Sequence, residues 1–216
     1  MFSSWLKTKS AEAFFSENFQ RQPHSEPGSA INAVHFLSWD KQAALMTADS
    51  RPDMIVSKNG AFLHDSEPKS IEDAQRLFAA GCTFTLRNVE RFDEELHALA
   101  DSFAGELEGE VAVHTFATPL DVRGFGWHYD CEDVFLVQTA GAKQYFLRQN
   151  TVNPEPTIDA MPVDMQFEKE TSPVIECTLI RGDWLYVPRG WWHTTRALDD
   201  SLSISIGVLS PAAGGR

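Results

Sequence analysis

The sequence predicts a mainly β domain with flanking helices, an α+β chain whose second half folds as a sandwich or small barrel. Three observations carry this. Helical periodicity belongs to the first half and stops near Gly109. Beyond it, short apolar runs are punctuated by turn residues roughly every eight to twelve positions, the rhythm of an all-β unit. The chain has 216 residues and is 43% hydrophobic, enough for one domain with a sizeable core. We therefore read a single domain over 1–216, with 1–109 as helical support and 110–210 as the β core.

In chain order, Ala11 to Phe19 forms a short amphipathic helix that ends before Arg21-Gln22-Pro23. The segment 22–30 is rich in Pro, Ser and Gly and is expected to be a loop. Ser38 is placed to N-cap a helix over Trp39 to Thr47. Ser70 with Asp73 resembles a capping box for a helix from Ile71 to Ala80, stopped by Gly81. Thr83 to Leu86 alternates like a strand. Phe92, Leu96, Leu99, Phe103 and Leu107 recur at three- and four-residue spacing, which predicts an amphipathic helix over 92–107.

In the second half, Val111 to Phe116 is a strand. Val134 to Gln138 and Lys143 to Leu147 flank Thr139-Ala140-Gly141-Ala142, which reads as a hairpin. Residues 151–172, with prolines at 154, 156 and 162 and another at 173, read as a long loop over the barrel mouth. Strands follow at Val174 to Ile180, Trp184 to Val187, Trp191 to Leu198 and Ser201 to Leu209. The turns between them are Arg181-Gly182-Asp183, Pro188-Arg189-Gly190 and Asp199-Asp200.

The chain carries 18 basic and 31 acidic residues, a net charge of −13. Such a surface lacks the basic contacts that phosphates demand, so a nucleic-acid partner is not expected. No apolar run reaches the length of a membrane span, and the N-terminus lacks the features of a signal peptide. Three cysteines, an odd number without a CxxC pair, fit reduced thiols in a cytoplasmic protein. The sequence leaves the oligomeric state open, a homodimer included.

His128-Tyr129-Asp130, followed some way downstream by His193, is the chemically richest pattern. Two imidazoles and a carboxylate can hold Fe(II) on one face and leave the other face open for chemistry. His128 and Asp130 open a strand-like stretch over 127–138, and alternate strand residues point to one side, so both would aim at one point. His193 follows the turn at Pro188-Arg189-Gly190 and begins another β run. The chain has seven histidines, so the pattern alone could arise by chance. Its placement on strands raises it to a candidate metal site.

Two longer stretches carry a family resemblance. The first is Thr118-Pro119, Gly124, His128-Tyr129-Asp130, Asp133-Val134-Phe135, Gln138, Gly141 and Lys143. The second is Gly182-Asp183-Trp184-Leu185-Tyr186-Val187-Pro188, Gly190, His193 and then Ser201 to Gly207. Through these the chain resembles the JmjC-type cupins, in particular the cupin-4 branch of ribosomal-protein hydroxylases. The resemblance implies a double-stranded β-helix (jelly-roll) core holding Fe(II) and 2-oxoglutarate. It implies O2-dependent hydroxylation of a side chain, with succinate and carbon dioxide as by-products.

The resemblance also implies residue roles. His128, Asp130 and His193 would be the catalytic metal ligands. Lys143 falls where the family has Lys or Arg and would hold the far carboxylate of 2-oxoglutarate. We expect it on the strand antiparallel to the one that follows His128; the alternative is a solvated strand-end residue. Thr118 matches a Thr/Ser position beside the cosubstrate. Ser203 and Ser205 share one strand face and could bond the cosubstrate, or else form the outer polar face of an edge strand. His114 stands where relatives often have Asn, and a core histidine is the simpler reading. Phe116 stands where they often have Tyr. Gln138 shares the Asp130 face only without a bulge. Cys131 reads as an ordinary strand residue rather than a catalytic thiol.

The expected function is hydroxylation of an amino-acid side chain in a protein or peptide. A small metabolite or modified nucleoside as substrate, or a metal-binding cupin without oxygenase activity, are the alternatives. Ribosomal-protein hydroxylases continue into a dimerisation region and a winged-helix-like domain where this sequence stops at Arg216, so the resemblance does not by itself carry over a ribosomal substrate. The acids Glu155, Asp159, Asp164, Glu168 and Glu170 in the long loop either favour a basic substrate by steering or only solubilise the loop.

Overall fold

The structure is a computed structural model that describes residues 1–154 and 167–209. Two antiparallel sheets form the walls of a jelly roll. The helices are α1 (Ala11–Glu17), α2 (Trp39–Thr47), α3 (Ile71–Ala79) and α4 (Glu94–Leu107). The strands of the first half are β1 (His24–Glu26), β2 (Asp53–Lys58), β3 (Ala61–Phe62) and β4 (Thr83–Arg87). They are followed by β5 (Glu110–Thr118), β6 (Asp133–Ala140), β7 (Ala142–Arg148), β8 (Ile175–Ile180), β9 (Trp184–Val187), β10 (Trp192–Ala197) and β11 (Ser201–Leu209). The large sheet runs β1-β9-β6-β11-β5-β4-β2-β3 and the small one β10-β7-β8.

The period-2 rule explains the layers. On β11, Leu202, Ile204, Ile206 and Val208 join Phe135 and Val137 of β6 and Trp184 and Tyr186 of β9 in a core with Phe2, Trp5, Phe14, Leu96, Leu99 and Phe103. The alternate residues Val134, Leu136, Leu185 and Val187 pack inward against Tyr145, Leu147 and Leu179 of the small sheet. The large sheet is thus covered on both faces, which is why β6 is apolar almost throughout. α4 buries Leu96, Leu99, Phe103 and Leu107 against it, each worth about 1.5–3 kcal/mol relative to exposure.

The caps at Ser38 and Ser70 form as expected: their hydroxyls accept from Lys41 N at 3.1 Å and Asp73 N at 3.2 Å. The reciprocal contact differs, since Asp73 Oδ2 accepts from Lys69 N rather than from Ser70. Asp93, accepting from Leu96 N at 3.0 Å, starts α4 two residues after the expected Phe92, whose ring stays partly exposed.

Five other expectations are corrected. The loop over 22–30 contains β1, which pairs with β9 (His24↔Tyr186, Glu26↔Trp184). The run 127–138 is strand only from Asp133; His128 makes an isolated bridge to His193, and Asp130 lies outside any ladder. β6 and β7 are not a hairpin. β6 pairs with β11 and β9, and β7 with β10 and β8, so Gly141 is a corner between the sheets. Lys143 accordingly sits beside the His193 strand, opposite Ala197, and not beside the strand after His128. Finally, β11 is central, between β5 and β6, which removes the edge-strand reading of its serines.

Candidate active site

His128, Asp130 and His193 converge although only His193 belongs to a regular strand. One ligand atom from each lies within 4.8 Å of the others, the only such cluster of three among the described residues. The ring tautomers follow from the backbone. His128 Nδ1 faces Gly126 O at 2.8 Å and His193 Nδ1 faces Trp191 O at 3.1 Å. A carbonyl only accepts, so both Nδ1 atoms donate and both Nε2 lone pairs face the cluster. His193 Nε2 is 3.4 Å from Asp130 Oδ2. Burial, followed by the neighbouring His128, holds His193 below its ordinary pKa, so the imidazole is neutral, as a metal ligand must be.

Opposite the triad, β7, β5 and β11 bring Lys143, Thr118 and Ser203 together. Lys143 Nζ donates to Thr118 Oγ1 at 3.2 Å and to Ser203 Oγ at 3.1 Å. No carboxylate among the described residues pairs with it, and burial alone lowers its pKa to about 7. A single pocket joins the two ends: Phe116, Thr118, Gly124, Phe125, His128, Lys143, Tyr145, His193, Thr195 and Ser203 line it. A larger cavity of about 780 Å³ lies apart, between α2, α3 and β4, and contains none of these groups.

Tyr145 and Thr195 line the pocket without having been singled out in the sequence. The signal was available: each lies two residues along its strand from Lys143 or His193, and so on the same face. Ser205 shares the inward face with Ser203 but does not line this pocket. His114 is largely buried and its Nδ1 accepts from Asn88 N at 3.1 Å, the behaviour of a core histidine; burial lowers its pKa. Phe116 places its ring 5.7 Å from Lys143 Nζ. Gln138 is turned to the local backbone, donating to Ala140 O at 2.7 Å. Cys131 lies outside the strands; burial raises its thiol pKa, which disfavours the thiolate.

Of the acids expected at the mouth, Glu155, Asp159 and Asp164 lie outside the described residues. Glu168 is exposed, but Glu170 is not free to steer anything. It is buried and accepts from Thr151 N (2.7 Å), Thr151 Oγ1 (2.7 Å), Thr171 N (2.9 Å) and Ser172 N (3.0 Å).

A jelly roll with two histidines and an aspartate converging beside a buried lysine is the frame of a metal-dependent cupin. The JmjC-domain family profile matches residues 86–214, and the chain belongs to that family. It is 30% identical over 182 residues to the bifunctional lysine-specific demethylase and histidyl-hydroxylase NO66 of Dictyostelium discoideum, covering 75% of this chain and 35% of that protein. It is 29% identical to ribosomal oxygenase 2 of Bos taurus, covering 100% of this chain and 49% of that one. The chain thus spans between a third and a half of these relatives' lengths. Among solved structures, YcfD, a ribosomal oxygenase from Escherichia coli in complex with cobalt and 2-oxoglutarate, matches with a TM-score of 0.65 and 20% identity. The match covers 95% of this chain and 53% of that chain.

Proposed function

We propose that this chain is an Fe(II)- and 2-oxoglutarate-dependent oxygenase that hydroxylates an amino-acid side chain of a protein or peptide. The observation that carries the reading is a single pocket with His128 and His193 at one end, clustered with the Asp130 carboxylate, and at the other a buried lysine that no carboxylate of the described residues pairs with. The donor set suits a divalent iron with open positions. The lone ammonium suits the far carboxylate of a dianion, because a buried cation without an anion is costly and gains most from one.

In this reading His128, Asp130 and His193 hold the metal, and Lys143 anchors the cosubstrate. Thr118 and Ser203 orient the Lys143 ammonium, and Ser205 lends a further hydroxyl to the same face. When bound, iron and 2-oxoglutarate supply the oxidising chemistry, in which O2 is consumed, the cosubstrate leaves as succinate and carbon dioxide, and one oxygen atom enters the substrate. Phe116 and Phe125 give the pocket apolar walls.

The names of the relatives, a histidyl-hydroxylase and ribosomal oxygenases, support a protein substrate and a basic side chain as target. So does the net charge of −13. We place the protein in the cytoplasm; none of the described helices is long and apolar enough to cross a membrane.

Anaerobic addition of Fe(II) and then 2-oxoglutarate should give a weak visible charge-transfer band, lost in His128→Ala and His193→Ala while the fold persists. Arg-, Lys- and His-containing peptides should then gain the mass of one oxygen atom. Succinate formation at wild-type rate in either His variant would remove the triad. Oxygen gain confined to small metabolites would remove the peptide substrate.

A further inference from the structure

The ligand-bearing segment 127–132 lies outside the sheets, so something other than a ladder must hold it. The backbone supplies little: His128 and His193 exchange N–H···O bonds of 3.2 and 2.8 Å, and Gly190 N donates to Asp130 O at 2.8 Å. A facial metal site needs its donors held to within roughly half an ångström. Trp127 and Trp192 stand next to His128 and His193 in the sequence, and their side chains meet a common support.

That support is Phe167. Its ring stacks on Trp127 with centroids 4.5 Å apart and an interplanar angle of 16°, and it meets Trp192 at 5.4 Å. Trp192 in turn packs edge-on against Tyr129 at 4.9 Å. Phe167 is itself fixed from behind. The Arg148 guanidinium lies 5.3 Å from its centroid and donates to Ser172 O at 2.7 Å and Glu170 O at 3.0 Å. The Glu170 carboxylate then ties 170–172 to Thr151 through its four accepted bonds.

We propose that Phe167 is a positioning residue: seated on Trp127 and Trp192, it holds the metal-ligand segment from outside the pocket and so sets its affinity for a divalent ion. It touches none of the ligand atoms. The inference rests on the metal-site reading above and adds that the sheets alone do not define the site. Burial and ring stacking together are worth about a factor of ten in an equilibrium between a held and a loosened segment.

The test is Co(II) titration of the full chain, followed by visible absorption, with thermal unfolding of the metal-free protein alongside. Phe167→Ala should weaken Co(II) binding about tenfold, Phe167→Tyr should restore it to within about twofold, and Arg148→Met should weaken it about threefold. Phe92→Ala, a partly exposed ring elsewhere, should lower neither affinity nor fold. A folded Phe167→Ala chain that binds Co(II) like wild type overturns the proposal. Should Phe167→Ala fail to fold, Arg148→Met decides, and unchanged affinity there overturns it equally. Wild type that binds no more Co(II) than His193→Ala would instead overturn the metal-site reading.

Discussion

Lys143 shows how one residue's surroundings set its chemistry. Its β7 position turns it into the pocket, where burial lowers its pKa to about 7 and its hydrogen bonds among the described residues go to two hydroxyls. At pH 8 about nine-tenths of such a group is neutral. A dianion placed against it favours the ammonium, so 2-oxoglutarate binding should take up close to one proton at pH 8 and almost none at pH 6. Calorimetry in buffers of different ionisation enthalpy reads this directly. The same sign requires affinity for 2-oxoglutarate to fall as pH rises above 7. Lys143→Ala should lose the proton uptake and raise the 2-oxoglutarate requirement by about ten- to a hundredfold. Unaltered dependence in that variant would move the anchor to another cation.

At the scale of elements, Gly141 decides the architecture. It has φ +65°, and a Cβ there would lie 2.2 Å from Asp200 O, at the turn before β11. Gly141→Ala should therefore destabilise by at least about 2 kcal/mol, seen as a lower Tm, because both the left-handed backbone and the backbone contact oppose it. A Tm within a degree of wild type would show that the corner can relax.

The foot of the long loop makes a second element-scale prediction. At Glu170 burial favours the acid, but the bonds from Ser172, Thr151 and Thr171 outweigh it and hold the carboxylate at about 2. A depressed carboxylate stabilises the fold above its unfolded pKa and loses that contribution as pH falls through the folded one. The Glu170 share should thus be intact above about pH 4.5 and lost toward pH 2. Glu170→Gln should flatten the acid limb of the stability profile, and Glu168→Gln should leave it unchanged. Equal effects of the two would mean that Glu170 is no clasp. Steering by loop charge should accordingly be probed at Glu168 and not at the Glu168 and Glu170 pair.

For the whole molecule the net charge of −13 governs encounter more than contact. Raising the ionic strength from about 0.05 M to about 0.5 M should raise the KM for a basic peptide several-fold and leave that for a neutral one near constant. Parallel salt profiles for both would exclude steering and return the small-metabolite reading.

Much was legible in the residues alone, for local reasons. α2 begins at its Ser38 cap, and β9 and β11 span their apolar runs, because caps, turns and alternation act over a few residues. His128, Asp130, His193, Lys143, Thr118 and Ser203 could be picked out by type, spacing and family resemblance. What they do together was decided elsewhere. A glycine signals that the chain turns at 141, but not whether the next strand pairs back or crosses to the other sheet. Whether the His128 segment would be strand depended on partners absent from its own sequence. The Phe167 support joins residues far apart in the chain through ring contacts that leave no periodic trace. Short-range preferences of the backbone determined which segments became strands and helices; packing between distant side chains determined that Lys143 and His193, carried by the small sheet, and His128, carried by the segment before β6, line a single pocket with Asp130 beside the two imidazoles.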